Sequence, residues 1–408
     1  MGQTMVEKIV SRQVGRRVTA GEQIAQLPIT KLFFNDVIGP PAIEGFRQEF
    51  AEIFARNGKP EQVFDPKRVF FMPDHSVPTF SIQIAEGVKL MQEFARQCGT
   101  KMYKEGDGIE HVILIEDGQI VPWDIVLGTD SHTDTNGALG ALAFGVGTTD
   151  GLYAMATGHL YDFMVPESVK FELTGTLPKG VYSKDIILHL IGMMGAGGCS
   201  KRVAEFTGPG VRSLPMDART TMCNMAVEMS ARTGIMAYDE VVGEYLQGRA
   251  QWPVEPIDSD PDAEYAQVVK LDLSTLEPTV AFPHKPANTT PISQLQAMIE
   301  RSQREPTPDF CSVDDDTITD AFVGSCTNAR YEDLVAAAQI MRGHKVHPNV
   351  NLIVIPASRK VYERAMDEGL LQVFVKAGAN VESSNCGPCF GSHMGVMSGK
   401  SKMISTSN

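Results

Sequence analysis

The alternation of apolar and polar positions is most legible toward the C-terminus. Thr319-Asp320-Ala321-Phe322-Val323 is a short apolar run that breaks into Gly324-Ser325-Cys326-Thr327-Asn328. Leu334, Ala337, Ala338 and Met341 then recur at i, i+3, i+4 and i+7, the period of one helix face, and predict a helix over 329–343. Asn328 or Thr327 is placed to cap it. Residues 351–355 are the near-unbroken apolar run expected of a parallel strand buried on both faces. Helical pattern resumes from Arg359 to Gly369 and beyond, and Ala379-Asn380-Val381-Glu382 leads into Cys386-Gly387-Pro388-Cys389. The order is β-α-β-α-β, an α/β pattern in which ligands gather outside the carboxyl ends of the strands. Cys326 and the Cys386/Cys389 pair each follow a strand, so one sheet edge would collect all three. The stretch from Pro278 to Asp316, rich in proline and polar residues, reads as a connection rather than a core element. A further boundary is set near residue 165.

Composition narrows the class. With 408 residues the chain can build more than one core. Its 36 Lys and Arg stand against 50 Asp and Glu, a net charge of −14, which lacks the electrostatic footprint of a nucleic-acid binder. A local cationic pocket for a small anion remains compatible with that balance. No apolar run approaches the ~20 residues that span a bilayer. The first eight residues, MGQTMVEK, hold no apolar signal core, and their early acid argues against a transit peptide. The expected location is therefore cytoplasmic. Seven cysteines are too few for a disulfide scaffold at this length, so clustered cysteines are read as ligands or nucleophiles.

Cys386-Gly387-Pro388-Cys389 alone would suit a thioredoxin-like redox pair or half a zinc site. A redox pair normally opens a helix, whereas Gly387, Pro388 and Gly391 predict a turn. Structural zinc takes four protein ligands, and Cys98, Cys199, Cys223 and Cys311 form no second pair. Three thiolates fit an iron–sulfur cluster with one iron not held by the protein, and such an iron is a Lewis acid rather than an electron carrier. Spacing leaves structural thiols and zinc standing beside that reading. Three acid/histidine sites lie in the N-terminal third: Asp74-His75, Glu110-His111 and Asp130-Ser131-His132. A neighbouring carboxylate fixes a histidine tautomer and raises its pKa, which makes a better acid. The same residues would serve a binuclear metal hydrolase, or each histidine would be an ordinary satisfied side chain. Gly137, Gly140, Gly145 and Gly147 do not spell G-x-G-x-x-G, and close helix–sheet contacts account for them. The segment from Gly395 to Ser401 is one residue short of a phosphate loop, which excludes nucleotide binding there. Asn224 and Glu228 fall at i and i+4, on one face if helical.

Taken together, Gly128-Thr129-Asp130-Ser131-His132-Thr133, Gly324-Ser325-Cys326-Thr327-Asn328 and Cys386-Gly387-Pro388-Cys389 resemble the signature motifs of the aconitase superfamily. Asp74-His75, Gly108-Ile109-Glu110-His111 and Asn224-Met225-Ala226-Val227-Glu228 match it in the same order, so the resemblance covers essentially the whole chain. Length and the segment Gly343 to Val350 are most similar to the large subunits of 3-isopropylmalate dehydratase, with those of homoaconitase and 2,3-dimethylmalate dehydratase close by. The resemblance implies an α/β fold of three α/β/α subdomains around one cluster, at 1–165, 166–285 and 286–408. It implies a [4Fe-4S] cluster held by Cys326, Cys386 and Cys389, and a hydro-lyase acting on a hydroxy di- or tricarboxylic acid. The reaction expected is 2-isopropylmalate to 3-isopropylmalate, in leucine biosynthesis. By similarity His75, paired with Asp74, protonates the departing hydroxyl. His111, Asp130, His132 and Glu228 support proton traffic, while Ser131, Asn224 and Asn328 orient substrate or cluster. Asn35 and Asp36 sit where the family places another polar pair.

The family's base is a serine on a swivelling domain, which in the isopropylmalate type is a separate small subunit. No such domain follows the cysteines here, so a small-subunit partner is expected. The sequence stops inside a motif that continues in the family with a carboxylate-gripping arginine segment, which leaves Arg219 and Arg330 as candidate anion contacts. Val112, Trp123 and Asp134 depart from a frequent glutamine, glycine and cysteine. Other classes to set against this reading are an RNA-binding iron sensor, disfavoured by the charge, a metallohydrolase built on His75, His111 and His132, and a paralogue without turnover.

Overall fold

The computed structural model describes residues 2–56, 61–308, 312–313 and 317–407. Three all-parallel sheets organise it. Strands β1 (Gln23–Pro28) and β7 (His159–Met164) pair antiparallel as a separate ribbon. Between them in sequence, β2 (Lys31–Asn35), β3 (Val69–Met72), β4 (Lys101–Met102), β5 (Ile125–Gly128) and β6 (Leu142–Gly145) form the first sheet, in the order β4-β3-β2-β5-β6. Strands β2, β3 and β5 are buried at every position, because helices cover both faces of a parallel sheet. The second sheet, β10-β9-β8-β11, uses β8 (Ser168–Thr174), β9 (Val203–Thr207), β10 (Thr233–Met236) and β11 (Gln267–Asp272). The third, β16-β15-β14-β17, uses β14 (Asp320–Val323), β15 (Asn351–Val354), β16 (Asn380–Val381) and β17 (Met403–Ser405).

One apolar core runs from Phe33, Phe70 and Leu139 in the first sheet's layer to Phe171, Phe206 and Met222 in the second's. The third sheet has small cores of its own, Leu334, Val354 and Phe374 on one face and Phe322, Ile353 and Ile355 on the other. Both tryptophans lie at the seam of the first two sheets. Trp123 donates its indole N–H to the Pro256 carbonyl at 3.1 Å, and the Trp252 ring lies 3.8 Å from the ammonium of buried Lys31. Among the described residues, no helix is long and apolar enough to cross a membrane.

The third sheet follows the predicted β-α-β-α-β order, with helices at Tyr331–Met341, Arg359–Asp367 and Leu370–Ala377. Three details differ from expectation. The first helix begins at Arg330 as its cap, with Asp333 accepting the Arg330 N–H at 3.1 Å; Asn328 instead donates its side-chain amide to Asp333. The stretch read as a connection holds a hairpin, β12 (Thr279–Ala281) with β13 (Thr289–Pro291), and the helix Leu295–Arg304. That helix has a strongly two-sided pattern, and its buried Ile299 packs on Phe282. Proline density hid elements too short and too amphipathic to show a long apolar run. Finally, Asn224 and Glu228 share no helix. The helix Met216–Asn224 ends at Asn224, and Glu228 lies in the separate 3-10 turn Ala226–Met229.

Candidate active site

The carboxyl ends of β2, β3 and β5 deliver Asn35-Asp36, Asp74-His75 and Asp130-His132 to one edge. Asp36 fixes the loop after β3: its carboxylate accepts the backbone N–H groups of Asp74, His75 and Ser76 at 3.0, 2.9 and 2.8 Å. Held in this way, His75 bonds Asp74 through Nδ1 at 2.7 Å and turns Nε2 toward Asp130 at 3.4 Å. Asp130 is the hub. Its Oδ1 lies 2.8 Å from His111 Nε2 and accepts the His132 backbone N–H at 2.8 Å. His132 Nε2 in turn reaches Glu228 at 3.5 Å, and the Ser131 hydroxyl lies 3.2 Å from its Nδ1. Gly145 is required beside this turn, since a Cβ there would stand 2.5 Å from the Asp130 carbonyl oxygen.

Burial opposes charge on the His75 ring, but Asp74 and Asp130 overcome it and hold its pKa well above the ordinary histidine value. The same opposition on His132 is overcome by Cys326, Asp130 and Glu228. Burial would raise Asp130, yet hydrogen bonds from His111, His132 and His75 keep it well below the usual carboxylate range. Glu110 goes the other way. It is fully buried, and desolvation followed by the charges of Asp74 and Asp130 pushes its pKa well up. This pushing apart of neighbouring carboxyls separates a proton-holding group from an ionised one.

The thiols arrive from the third sheet. Cys326 follows β14 after Ser325, which takes a left-handed φ of 74°. The loop after β16 is tied directly to the histidine side, because the Cys386 N–H donates to the Asp74 carbonyl at 2.8 Å. Cys389 is hydrogen-bonded to Cys386, which with the nearby His132 draws its pKa down to about 7 against the cost of burial. Burial, helped by the charges of Cys389 and Asp130 and opposed by His132, pushes Cys326 up to about 11. Asn224 donates its amide to Cys326 Sγ at 3.2 Å and to Thr135 Oγ1 at 2.8 Å. The Phe390 and His75 rings pack perpendicular to one another, 5.1 Å between centroids. Three thiols that influence one another's ionisation, one already carrying an N–H···S contact, form a donor set suited to an iron–sulfur group.

The structure thus brings His75, Asp74, His111, Asp130, His132 and Glu228 into one hydrogen-bonded cluster with Ser131 and Asn35, whose amide reaches Glu110 at 3.3 Å. Asn328 lies one step away, donating to Thr221 Oγ1 at 3.3 Å. Arg219 is not free for an anion: it is fully buried and grips Asp239 through two bonds of 2.7 and 2.6 Å. Arg330 is buried too, with one bond to the Thr327 carbonyl and Nη2 unpartnered. The histidines expected to group in a hydrolase do not make the tightest set. The acids group around His75 instead: His75, Glu110 and Asp130, and likewise Asp36, Asp74 and His75, each bring one ligand atom per residue within 4.8 Å. Sequence reasoning missed three residues. Glu110 was noted only as a neighbour of His111, although its separation from Asp74 hides that Asp74 accepts its N–H at 2.7 Å. Asp134 was noted only as a departure. Lys184, at the head of the helix Ser183–Met194, bonds the Thr406 carbonyl at 2.6 Å and also that of Ser407. Enclosure lowers its pKa to about 8, with Cys389 and Glu228 among the charges it feels. No motif surrounds it in the sequence.

Comparison with known proteins identifies the family. Residues 7–408 match the family model described as the aconitase family (aconitate hydratase). The chain is 43% identical to the 3-isopropylmalate dehydratase large subunit of Aquifex aeolicus, over 100% of its own length and 89% of that relative's. It is 41% identical to large subunit 1 of Methanopyrus kandleri and 42% identical to large subunit 1 of Pyrococcus furiosus, covering 91% and 90% of them. Among solved structures, the holo-form of aconitase X from Thermococcus kodakaraensis aligns at a TM-score of 0.48 and 16% identity, over 94% of this chain and 84% of that one. With the match running almost from end to end and the thiols and imidazoles meeting at one edge, the chain belongs to the aconitase family.

Proposed function

We propose that this chain is the cluster-bearing large subunit of a hydro-lyase that interconverts 2-isopropylmalate and 3-isopropylmalate through the shared alkene. The observation that carries this reading is the bond between the Cys386 N–H and the Asp74 carbonyl, which places the thiol loop against the acid His75. An iron–sulfur cluster on Cys326, Cys386 and Cys389, of the [4Fe-4S] type, supplies a Lewis-acidic iron when bound. The chain's own residues manage the proton. His75, kept charged by Asp74 and Asp130, carries at Nε2 the proton that meets the departing hydroxyl. Asp130 stays ionised to orient the three imidazoles, and His132 with Glu228 relays the proton onward. Asn224 steadies Cys326, and Phe390 packs perpendicular to the His75 ring. A small subunit carrying the swivelling domain and a serine base completes the site, with the substrate's carboxylates lying between the two chains.

The test is anaerobic reconstitution with iron and sulfide, followed by metal and acid-labile sulfide analysis and an assay with the small subunit on 3-isopropylmalate. The expected result is a near one-to-one iron-to-sulfide ratio, a broad brown absorbance and alkene formation. Cys326→Ser should lose the colour. Zinc or manganese bound without sulfide would overturn the reading and favour an ion on His75, Glu110 and Asp130 instead.

A further inference from the structure

The 3-10 segment Ser131–Leu139 carries His132 and then two residues that reach in different directions. Thr135 accepts the side-chain N–H of Asn224, which also donates to Cys326 Sγ and accepts the Thr327 hydroxyl. Asp134 accepts the backbone N–H of Val227 at 3.0 Å, and Val227 is the residue before Glu228. Asp134 is 1% exposed, and its Oδ1 has no hydrogen-bond partner. Such a group is costly to bury, and an apolar side chain would fill the space without that cost. What an apolar side chain would not supply is the acceptor for Val227. Within the Ala226–Met229 turn, Glu228 N–H bonds the Met225 carbonyl and Ser230 N–H the Val227 carbonyl, while the Met229 carbonyl accepts the Cys199 N–H at 2.9 Å. Beside the His132–Glu228 approach itself, the backbone of this turn is bonded to the His132 segment through Asp134.

We propose that Asp134 is a positioning residue that tethers the Glu228 turn to the His132 segment and so fixes the 3.5 Å approach of Glu228 to His132. It touches neither substrate nor cluster, and it acts through Glu228. The inference rests on the role given above to the His132–Glu228 pair. Burial raises the pKa of Asp134, and Asn, which keeps an acceptor oxygen of the same reach for the Val227 N–H, is its close mimic.

The experiment uses the reconstituted holoenzyme with its small subunit and compares Asp134→Asn, Asp134→Ala, Glu228→Gln and the Asp134→Ala/Glu228→Gln double variant on 3-isopropylmalate. Hydrogen exchange of the peptide covering Val227 is followed in parallel. Asp134→Asn should stay within about threefold of the parent kcat, while Asp134→Ala falls by roughly 10- to 50-fold with KM little changed. The double variant should be no slower than Glu228→Gln alone, since both changes act on one group. Val227 protection should drop in Asp134→Ala and persist in Asp134→Asn. Where Asp134→Ala does not fold, Asp134→Ser replaces it, its hydroxyl being too short to reach Val227. Unchanged protection at Val227 overturns the tether. Lost protection with unchanged kcat overturns its catalytic consequence, as do multiplying effects in the double variant. A Glu228→Gln enzyme running at full rate overturns the role assigned to Glu228 above, and with it that consequence, while the exchange result still decides the tether.

Discussion

At the scale of single residues, the site works by placing ionisable groups where each changes its neighbour. His75 is the clearest case: its pKa is raised despite burial, so the imidazolium persists through neutral pH. A rate that needs that proton should hold through neutrality and fall on the alkaline side. Asp74→Asn removes the nearer carboxylate, so the alkaline limb should move down toward the ordinary histidine value of about 6.5, with kcat reduced about 10²-fold. His75→Ala should abolish turnover while the brown absorbance remains, which separates acid from ligand. Glu110 gives a stability prediction of definite sign. Its pKa is raised in the folded state, so from about 4.5 upward the folded chain binds a proton that the unfolded chain has lost, and stability falls as pH rises. Glu110→Gln removes that loss. Its melting temperature should exceed the parent's by a margin that widens between pH 5 and pH 8, and a constant margin would contradict the assignment. The acid/histidine pairs were visible in the sequence because adjacency is local. Glu110's central place was not, because it depends on Asp74 and Asp130 converging on the start of its helix from the ends of two separate strands.

At the scale of elements, the alternating apolar runs of the third sheet were readable because parallel strands buried on both faces must be apolar throughout. The same physics explains what was not readable. The helix Leu295–Arg304 buries only Ile299 and Ser302, too little to imprint a pattern on a proline-rich stretch. Glu228 looked helical from its spacing, yet the helix ends at Asn224 and Ser230 takes a left-handed φ of 62°. Docking between elements also rests on single side chains that carry no motif. Ser358, fully buried, caps the helix Arg359–Asp367 by accepting the Val361 N–H at 3.2 Å and donates to Glu116 at 3.0 Å. Losing both contacts should make Ser358→Ala less stable by about 1–2 kcal/mol in denaturant unfolding. An effect under a few tenths would show that water replaces the hydroxyl.

At the scale of the whole molecule, the third sheet packs largely on cores of its own and meets the rest through one small apolar cluster, where Cys326, Ala329 and Ala357 touch Ile109 and Val112. The first two sheets share one continuous apolar interior, while the third is held to them by contacts such as Ile109 N–H to the Ala357 carbonyl and the Thr221 hydroxyl to the Thr327 carbonyl. Residues 320–405 should therefore open before the rest, as a sub-global unit. Calorimetry of the holo-protein should resolve two transitions, with iron released in the first, and stripping the iron should lower that transition alone. One merged transition, unmoved by iron removal, would contradict this division. The two tryptophans give the division a practical edge. Trp123 and Trp252 both sit where the first sheet meets the second, and the third sheet contains none. Their emission is a lamp in the larger room only: a sample that has let its thiol-bearing sheet come apart would still fluoresce as native, and quality control by tryptophan fluorescence would pass a protein with no catalytic half-site left.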